Sequence, residues 1–316
     1  MSLEAALADP IFQTFAVLAL VALVAAGLLL AVLRWGLGKS VGHAWASYRG
    51  WLVMVPVILV CIALGRLTTI GFFTLVALAG AKELARVTGL DRDKLLTLVV
   101  YFGIALVGIA CAVPDPREGV PGWYGLFMAL PAFVVGLILL VPITRDQVAG
   151  QVRLLSLAIV AFIYIGWMFG HLTYLANASH AYGYLLYLLF AVELNDVAAY
   201  TFGRLFGKHK FRPNISPNKT WEGALGALAI SLLLPWLFRF SLPHFTAVDL
   251  LLTGLIVGIG GQVGDLAISV LKRDLHVKDM GQLIPGHGGI LDRIDSLIYV
   301  APLFFHLVRW RYDIYL

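Results

Sequence analysis

The sequence IFQTFAVLALVALVAAGLLLAVL occupies residues 11–33 and contains no charged side chain. A helix needs about 20 apolar residues to cross the hydrocarbon core of a bilayer, so this stretch predicts a membrane-spanning helix. It is too long for the apolar region of a signal peptide, and no cleavage site of small residues stands out after it. We therefore expect the stretch to remain in the protein as a membrane helix.

Nine further apolar stretches follow, and they are continuous rather than alternating, which favours helices over membrane strands. The ten predicted spans lie at about residues 11–33, 50–65, 67–81, 95–113, 122–143, 154–176, 182–203, 223–240, 249–271 and 294–308. The second and third are short and separated only by Arg66, so we expect a tight hairpin or an incomplete crossing. The predicted fold class is an all-α integral membrane protein, a polytopic bundle of about ten transmembrane helices (8–10).

The composition excludes an ordinary soluble enzyme and a disordered chain. Of the 316 residues, 60% are hydrophobic and 13% are charged, whereas soluble domains have roughly 45–50% and 25%. The net charge of +5 does not indicate nucleic-acid binding, because Lys and Arg are concentrated between apolar stretches, where they orient a membrane protein. Cys61 and Cys111 both lie in apolar stretches, which argues against a disulfide framework or a cysteine-ligated metal.

The basic residues also predict the orientation of the chain. With the N-terminus outside, the segments that face the cytoplasm hold 18 of the 23 Lys and Arg residues. These segments are 34–49, 82–94, 144–153, 204–222 and 271–293. Arg309 and Arg311, after the last span, fit this pattern poorly. We expect a multi-pass protein of a bacterial-type inner (plasma) membrane with its active site on the cytoplasmic side.

The N-terminal half carries few polar residues within its apolar stretches, whereas the C-terminal half places five inside its own. They are Glu193, Asn195, Asp196, Gln262 and Asp265. Ionisable groups at membrane depth are costly and usually functional. We therefore predict an N-terminal transmembrane scaffold at residues 1–180. The catalytic transmembrane region is predicted at 181–316, with cytoplasmic loops 204–222 and 271–293.

Residues 191–223 form the first polar cluster, in which a basic loop leads into the next span. Pro217 and Thr220 resemble the residues that begin a helix, so Lys219 and nearby amide groups are expected at a helix N-terminus, where anions bind. The other basic residues of the loop have a simpler interpretation as anchors at anionic headgroups. These residues are Lys208, Lys210 and Arg212.

Residues 264–295 form the second polar cluster. Asp265, Ser269 and Lys272 are spaced by four and three residues, which places them on one face of a helix. Asp292 and Asp295 likewise share a face as the last span begins, after a glycine-rich turn. An acidic residue in a first helical turn can simply complement the helix dipole, and that explanation suits one Asp better than two.

Together these residues supply acidic oxygens, which suit Mg²⁺, and Lys, Arg and amide groups, which suit phosphates. This inventory is typical of phosphoryl or nucleotidyl transfer. Phosphate-binding loops of the P-loop type, nucleophile elbows and HExxH zinc motifs are absent from the sequence. The chemistry alone predicts a metal-dependent enzyme that acts on a phosphorylated lipid at the inner leaflet.

The same residues form a longer pattern, which resembles the signature of the phosphatidate cytidylyltransferases, or CDP-diacylglycerol synthases. It runs Ser269-x-Leu271-Lys272-Arg273, Lys278-Asp279-x-Gly281, Ile284-Pro285, His287-Gly288-Gly289-Ile290, Asp292-Arg293-Ile294-Asp295. An upstream block is similar to the same family. It comprises Asn195-Asp196, Ala199-Tyr200, Gly203, Gly207 and Ser216-Pro217-x-Lys219-Thr220-x-Glu222-Gly223. The resemblance covers about residues 185–300.

The resemblance implies that CTP and phosphatidate react to CDP-diacylglycerol and pyrophosphate, with Mg²⁺ and, in some members, K⁺. It also implies a polar cavity open to the cytoplasm and the inner leaflet, and a possible homodimer. The family's metal-binding acids map onto Asp265, Asp292 and Asp295, and Lys272 completes the predicted catalytic residues. The predicted substrate and phosphate contacts are Ser216, Lys219, Ser269, Arg273, Lys278, His287 and Arg293. His287 could be a general acid, a hydrogen-bond donor to a substrate phosphate or a residue that stabilises the turn by a hydrogen bond.

Two alternatives remain open. A CTP-dependent lipid kinase of the polyprenol type resembles the same superfamily, and it would release CDP rather than pyrophosphate. A transporter or non-enzymatic lipid-binding homologue would also bury Asp and Lys among interrupted helices. Transporters commonly have pseudo-symmetric halves, whereas here the polar residues lie in one half.

Overall fold

The computed structural model describes residues 1–38, 40–281 and 288–315, apart from the side chain of His43. The described chain is almost entirely helical, with one small β-hairpin. The helices are α1 Leu3–Ala8, α2 Pro10–Ala31, α3 Gly42–Ala63, α4 Arg66–Thr88, α5 Lys94–Ala112, α6 Tyr124–Thr144, α7 Gln151–Val160, α8 Phe169–Tyr174, α9 Ala181–Phe206, α10 Trp221–Leu237, α11 Ala247–Asp274 and α12 Leu291–Arg311. The strands are β1 Lys210–Arg212 and β2 Ser216–Thr220.

The predicted fold class is confirmed. Within the described ranges, eight helical segments are long and apolar enough to cross a membrane. One of them, Gln151–Asn177, joins α7 and α8 through a π-helical segment, Ala161–Met168. The other two predicted spans correspond to α10, which is shorter at 17 residues, and to α12, which carries charges at both ends.

The expectation that the second and third spans are short is wrong. Helix α3 begins at Gly42 and α4 continues to Thr88, so each is long enough to cross the bilayer. Both helices continue into polar segments that a hydropathy pattern assigns to loops. Long basic side chains at helix ends can extend towards the headgroups, so a helix need not end where its apolar stretch ends.

Helices α9 to α12 pack together as the core of the C-terminal half. Glycine permits the closest approaches between them. A Cβ atom on Gly264 of α11 would lie 2.5 Å from the main-chain oxygen of Asp295 on α12. A Cβ atom on Gly223 of α10 would lie 2.6 Å from the main-chain oxygen of Ala199 on α9. The polar residues of these four helices are therefore held close together.

The two cations after the last span have structural partners. The Nε group of Arg311 donates to Asp249 Oδ1 at 2.8 Å, and Asp249 is buried in the first turn of α11. The guanidinium carbon of Arg309 lies over the ring of Tyr124, 4.1 Å from the ring centroid. These contacts explain why Arg309 and Arg311 depart from the charge bias of the other loops.

His244, between α10 and α11, packs against His180, which lies just before α9. The rings of His180 and His244 are stacked with 4.2 Å between their centroids, and His244 Nε2 lies 2.7 Å from the hydroxyl of Tyr184. Burial, together with the neighbouring imidazole of His180, lowers the pKa of His244 to about 4. His244 is therefore neutral at physiological pH.

Candidate active site

A polar cavity of about 470 Å³ lies where α9 and α11 end and α10 and α12 begin. Its wall is unusually rich in charge for a bundle of apolar helices. The charged side chains in the wall are Asp196, Arg204, Lys219, Asp265, Lys272, Asp279, Asp292, Arg293 and Asp295. The predicted acids therefore share one cavity with two lysines.

The segment between α9 and α10 forms an antiparallel β-hairpin where the sequence predicts only a loop. Thr220 ends β2 and caps α10, since its side chain accepts a hydrogen bond from the Gly223 amide at 3.2 Å. Thr220 thus begins the helix as predicted, whereas Pro217 lies within strand β2. Lys219 precedes the cap and points into the cavity, where its Nζ lies 2.7 Å from Asp265 Oδ2 and 3.3 Å from Gln262 Oε1.

Helix α11 carries the predicted polar face. The hydroxyl of Ser269 donates to Asp265 Oδ1 at 3.2 Å, so it supports the carboxylate from behind rather than lining the cavity itself. Lys272 lies one turn further along and does line the cavity. The spacing of Asp265, Ser269 and Lys272 in the sequence therefore predicts their common face correctly.

Asp292 is the most firmly held of the cavity's acids. Its Oδ1 accepts a hydrogen bond from Lys272 Nζ at 2.9 Å, and its side chain is only 3% exposed. Its Oδ2 accepts from the amides of Met280 at 2.8 Å and Gly289 at 3.0 Å. Both carboxylate oxygens are thus engaged, and Asp292 fixes the direction of the Lys272 ammonium.

Asp295 lies one turn along α12 from Asp292 and lines the same cavity, as the spacing predicts. One of its oxygens accepts from the Ser296 amide at 2.7 Å. It lies within electrostatic range of Asp265 and Asp196, so three carboxylates concentrate negative charge opposite the two lysines. A polyphosphate accompanied by a divalent cation would match both kinds of charge.

Several predicted contacts lie elsewhere. Arg273 is exposed, and its Nε donates to the main-chain oxygen of Ile215 at 3.0 Å, so it ties the hairpin to α11. Ser216 and Lys278 are not among the described residues that line the cavity. Arg293 does line it. His287 lies outside the described residues, and its role stays a prediction.

Several residues of the cavity wall are absent from the predicted site, among them Asp196, Arg204, Gln262 and Asp279. Asp196 and Gln262 stand out as polar residues in apolar spans, which is a usable signal. Gln262 is buried, and its Nε2 has no hydrogen-bond partner among the residues that the structure covers. Asp279 gives no signal beyond its place in the family pattern, because it lies in a polar segment between helices.

The carboxylates of the cavity suit a Mg²⁺ ion that also binds water and substrate phosphates. In the described part of the chain, no three His, Cys, Asp or Glu side chains are close enough to hold one ion. The assignment of Asp265, Asp292 and Asp295 as metal ligands therefore stays a prediction. Mg²⁺ usually binds through one or two carboxylates, with water and substrate phosphates completing its shell, and the carboxylates of this cavity fit that arrangement.

The fold and the cavity define a class of protein: an integral membrane protein with a site of acids and lysines between its helices that is suited to phosphates. Residues 45–310 match the cytidylyltransferase family, and the chain belongs to that family. It is 36% identical over 255 residues to phosphatidate cytidylyltransferase of Staphylococcus haemolyticus (strain JCSC1435), covering 80% of this chain and 92% of that protein.

Two other relatives show a similar extent of similarity. Phosphatidate cytidylyltransferase of Staphylococcus aureus (strain COL) is 34% identical over 255 residues, covering 80% of this chain and 92% of the relative. The uncharacterized protein YnbB of Escherichia coli (strain K12) is 31% identical over 279 residues, covering 85% of this chain and 88% of the relative. The similarity therefore extends well beyond the short signature near the C-terminus.

Proposed function

We propose that this protein is a phosphatidate cytidylyltransferase, which transfers CMP from CTP to phosphatidate and releases pyrophosphate. The observation that carries the proposal is the cavity of a cytidylyltransferase-family chain, in which Lys219 and Lys272 face carboxylates between membrane helices. Such a cavity can receive a water-soluble triphosphate and a lipid phosphate together.

The two lysines bind the phosphates of CTP in this proposal. Lys219 and Lys272 are held by Asp265 and Asp292, so their ammonium groups are oriented before substrate arrives. Preorganised charge of this kind stabilises the charge that develops on the leaving pyrophosphate. Arg204 and Arg293, the two arginines in the wall, supply positive charge for the phosphate of the lipid.

No protein nucleophile is required. A phosphate oxygen of phosphatidate attacks the α-phosphorus of CTP in line, the bond to the β-phosphate oxygen breaks, and pyrophosphate leaves. Phosphatidate is largely ionised near neutral pH, so the chain has to align two phosphates rather than remove a proton.

Magnesium is the expected cofactor, and Asp265, Asp292 and Asp295 are the residues proposed to hold it, one or two at a time, together with phosphate oxygens. When bound, it would neutralise the triphosphate. K⁺ as a second cation and a homodimer are further proposals from the family resemblance. The site is proposed to face the cytoplasm, since it lies beside two of the basic segments, 204–222 and 271–293.

The test is product analysis with purified protein, phosphatidate, Mg²⁺ and CTP labelled either in cytidine or in the γ-phosphate. Cytidine label in the lipid, with release of pyrophosphate, is the expected result. Entry of γ-phosphate into a lipid alcohol, with release of CDP, would instead identify the kinase. Ion or lipid transport in proteoliposomes without CTP turnover would identify the transporter.

Lys272→Ala provides a second test of the phosphate assignment. The variant should have a lower kcat/KM for CTP, because a charged hydrogen bond to phosphate contributes about 1.5–3 kcal/mol. An unchanged kcat/KM would contradict the role given to this lysine. The exposed Lys210 of β1, which does not line the cavity, offers a matched Lys→Ala control.

A further inference from the structure

A buried acid of the N-terminal half reaches the start of α12. Glu83 lies near the end of α4 and is 8% exposed. Its Oε1 accepts a hydrogen bond from the Ile290 amide at 3.0 Å, and its Oε2 accepts from the Leu291 amide at 2.9 Å. Because Ile290 provides no side-chain cap of its own, Glu83 serves as the cap of α12 from 207 positions away in the sequence.

The backbone around this carboxylate leaves no spare room. A Cβ atom on Gly281 would collide with Glu83 Oε1, and a Cβ atom on Gly289 would collide with Oε2. The backbones of two glycines therefore pack against the carboxylate, one beside each oxygen. Such a close approach suits a group whose position is set precisely by its surroundings.

The capped amides continue directly into the active site. The amide of Gly289 donates to Asp292 Oδ2, whereas the next two amides, of Ile290 and Leu291, donate to Glu83. Three consecutive amides are thus shared between a capping acid and an active-site acid. Since Asp292 also binds Lys272, the rotation of the first turn of α12 determines where that ammonium points.

A carboxylate is the group that this position requires. It offers one acceptor oxygen to each amide, and its negative charge is favourable at a helix N-terminus. Glutamine has the same shape, but it would turn an NH₂ group towards one of the two amide donors. One buried amide would then lose its partner, and the first turn of α12 would lose its fixed orientation.

We propose that Glu83 is a positioning residue of the active site, which holds the first turn of α12 so that Asp292 and Lys272 are aligned for phosphate binding. The inference rests on the proposed cytidylyl transfer for its kinetic consequences. It also assigns a function within the site to the region 1–180, which the sequence predicts as a scaffold.

The experiment compares Glu83→Gln with Glu118→Gln, a control at an exposed position in the segment between α5 and α6. Loss of a residue that orients a ligand typically lowers activity about 10- to 100-fold, and we expect a decrease of that size in kcat for Glu83→Gln. The control should retain wild-type kcat. Wild-type kcat in Glu83→Gln would overturn the proposal.

A double-mutant cycle separates positioning from general destabilisation. If Glu83 acts through Asp292, Glu83→Gln should have little further effect on kcat in an Asp292→Asn background. A merely structural role would lower activity by the same factor in both backgrounds, and that result would refute the assignment. Gly281→Ala crowds the carboxylate without removing its charge, so it should reproduce the defect if Glu83→Gln does not fold.

Amide hydrogen exchange tests the cap without any turnover. In the full-length protein without substrate, exchange at Ile290 and Leu291 should be faster in Glu83→Gln than in wild type and Glu118→Gln. Unchanged protection of these two amides would overturn the proposed cap even if activity fell. If wild-type protein transferred no cytidine while the exchange difference was observed, the proposed function would fail and the cap would stand.

Discussion

Asp265→Asn and Asp292→Asn should both reduce turnover, but only Asp292→Asn should also destabilise the protein. Asp292 is almost fully buried and accepts hydrogen bonds from Lys272 and two amides. Asp265 is 30% exposed at its side chain, binds Lys219, and shares the cavity with the like charge of Asp295. The two acids therefore differ in what their charge does for the fold.

The magnitudes follow from this difference. Removing one partner of a buried ion pair costs about 3–5 kcal/mol, and we take the lower end because the amide that replaces the Asp292 carboxylate would keep one acceptor oxygen. At roughly 2 °C per kcal/mol for larger domains, Tm should fall by about 6 °C. Loss of the partly exposed Asp265–Lys219 pair costs up to about 1 kcal/mol, and relief of repulsion among the acids offsets it. The Tm of Asp265→Asn should stay within about 2 °C of wild type.

Activity should decrease in both variants by about 10²–10³-fold, the range for loss of one preorganised electrostatic group. The assay is incorporation of cytidine label into lipid, alongside thermal melting of the same preparations in detergent. Asp274→Asn, at the exposed end of α11, serves as the matched control and should resemble wild type in both measurements. Equal Tm decreases in the two active-site variants, or near-normal turnover in either, would refute the reasoning.

Three further predictions concern a cavity lysine, a helix contact and a buried histidine. Lys219→Met should raise the KM for CTP about tenfold, because a charged hydrogen bond to phosphate is lost, and an unchanged KM would contradict the assignment. Gly264→Ala should destabilise the protein by about 1–3 kcal/mol in thermal melting, since its Cβ would meet the main-chain oxygen of Asp295, whereas Gly136→Ala, with open space, should not. The pKa of His244 in the folded protein is about 4, below the ordinary value of 6.5, so protonation of this residue opposes folding. The stability that the neutral imidazole permits is complete above about pH 6.5 and is lost as the pH falls towards 4. His244→Gln should therefore show a smaller Tm decrease between pH 7 and pH 5, and parallel curves would count against this origin.

The membrane class and the helices were determined by the sequence alone. A long apolar stretch in lipid can satisfy its backbone only by forming a helix, so hydropathy predicts the long apolar helices even where their ends are misplaced. Charges within such stretches are conspicuous, and helical spacing places Asp265 with Lys272 and Asp292 with Asp295 on common faces. Most of the cavity's acids can therefore be identified from residue type and spacing.

The partners of these residues were decided only by the tertiary structure. Lys219 pairs with Asp265, and Lys272 pairs with Asp292, across contacts between different segments of the chain. Glu83 lies in a polar segment between two apolar stretches, where a charged residue is unremarkable, so nothing in the sequence marks it as the cap of α12. The periodicity of a helix predicts which of its side chains share a face, but only the packing between helices determines which faces come into contact. That information is absent from local sequence, because it depends on close approaches such as the one at Gly264.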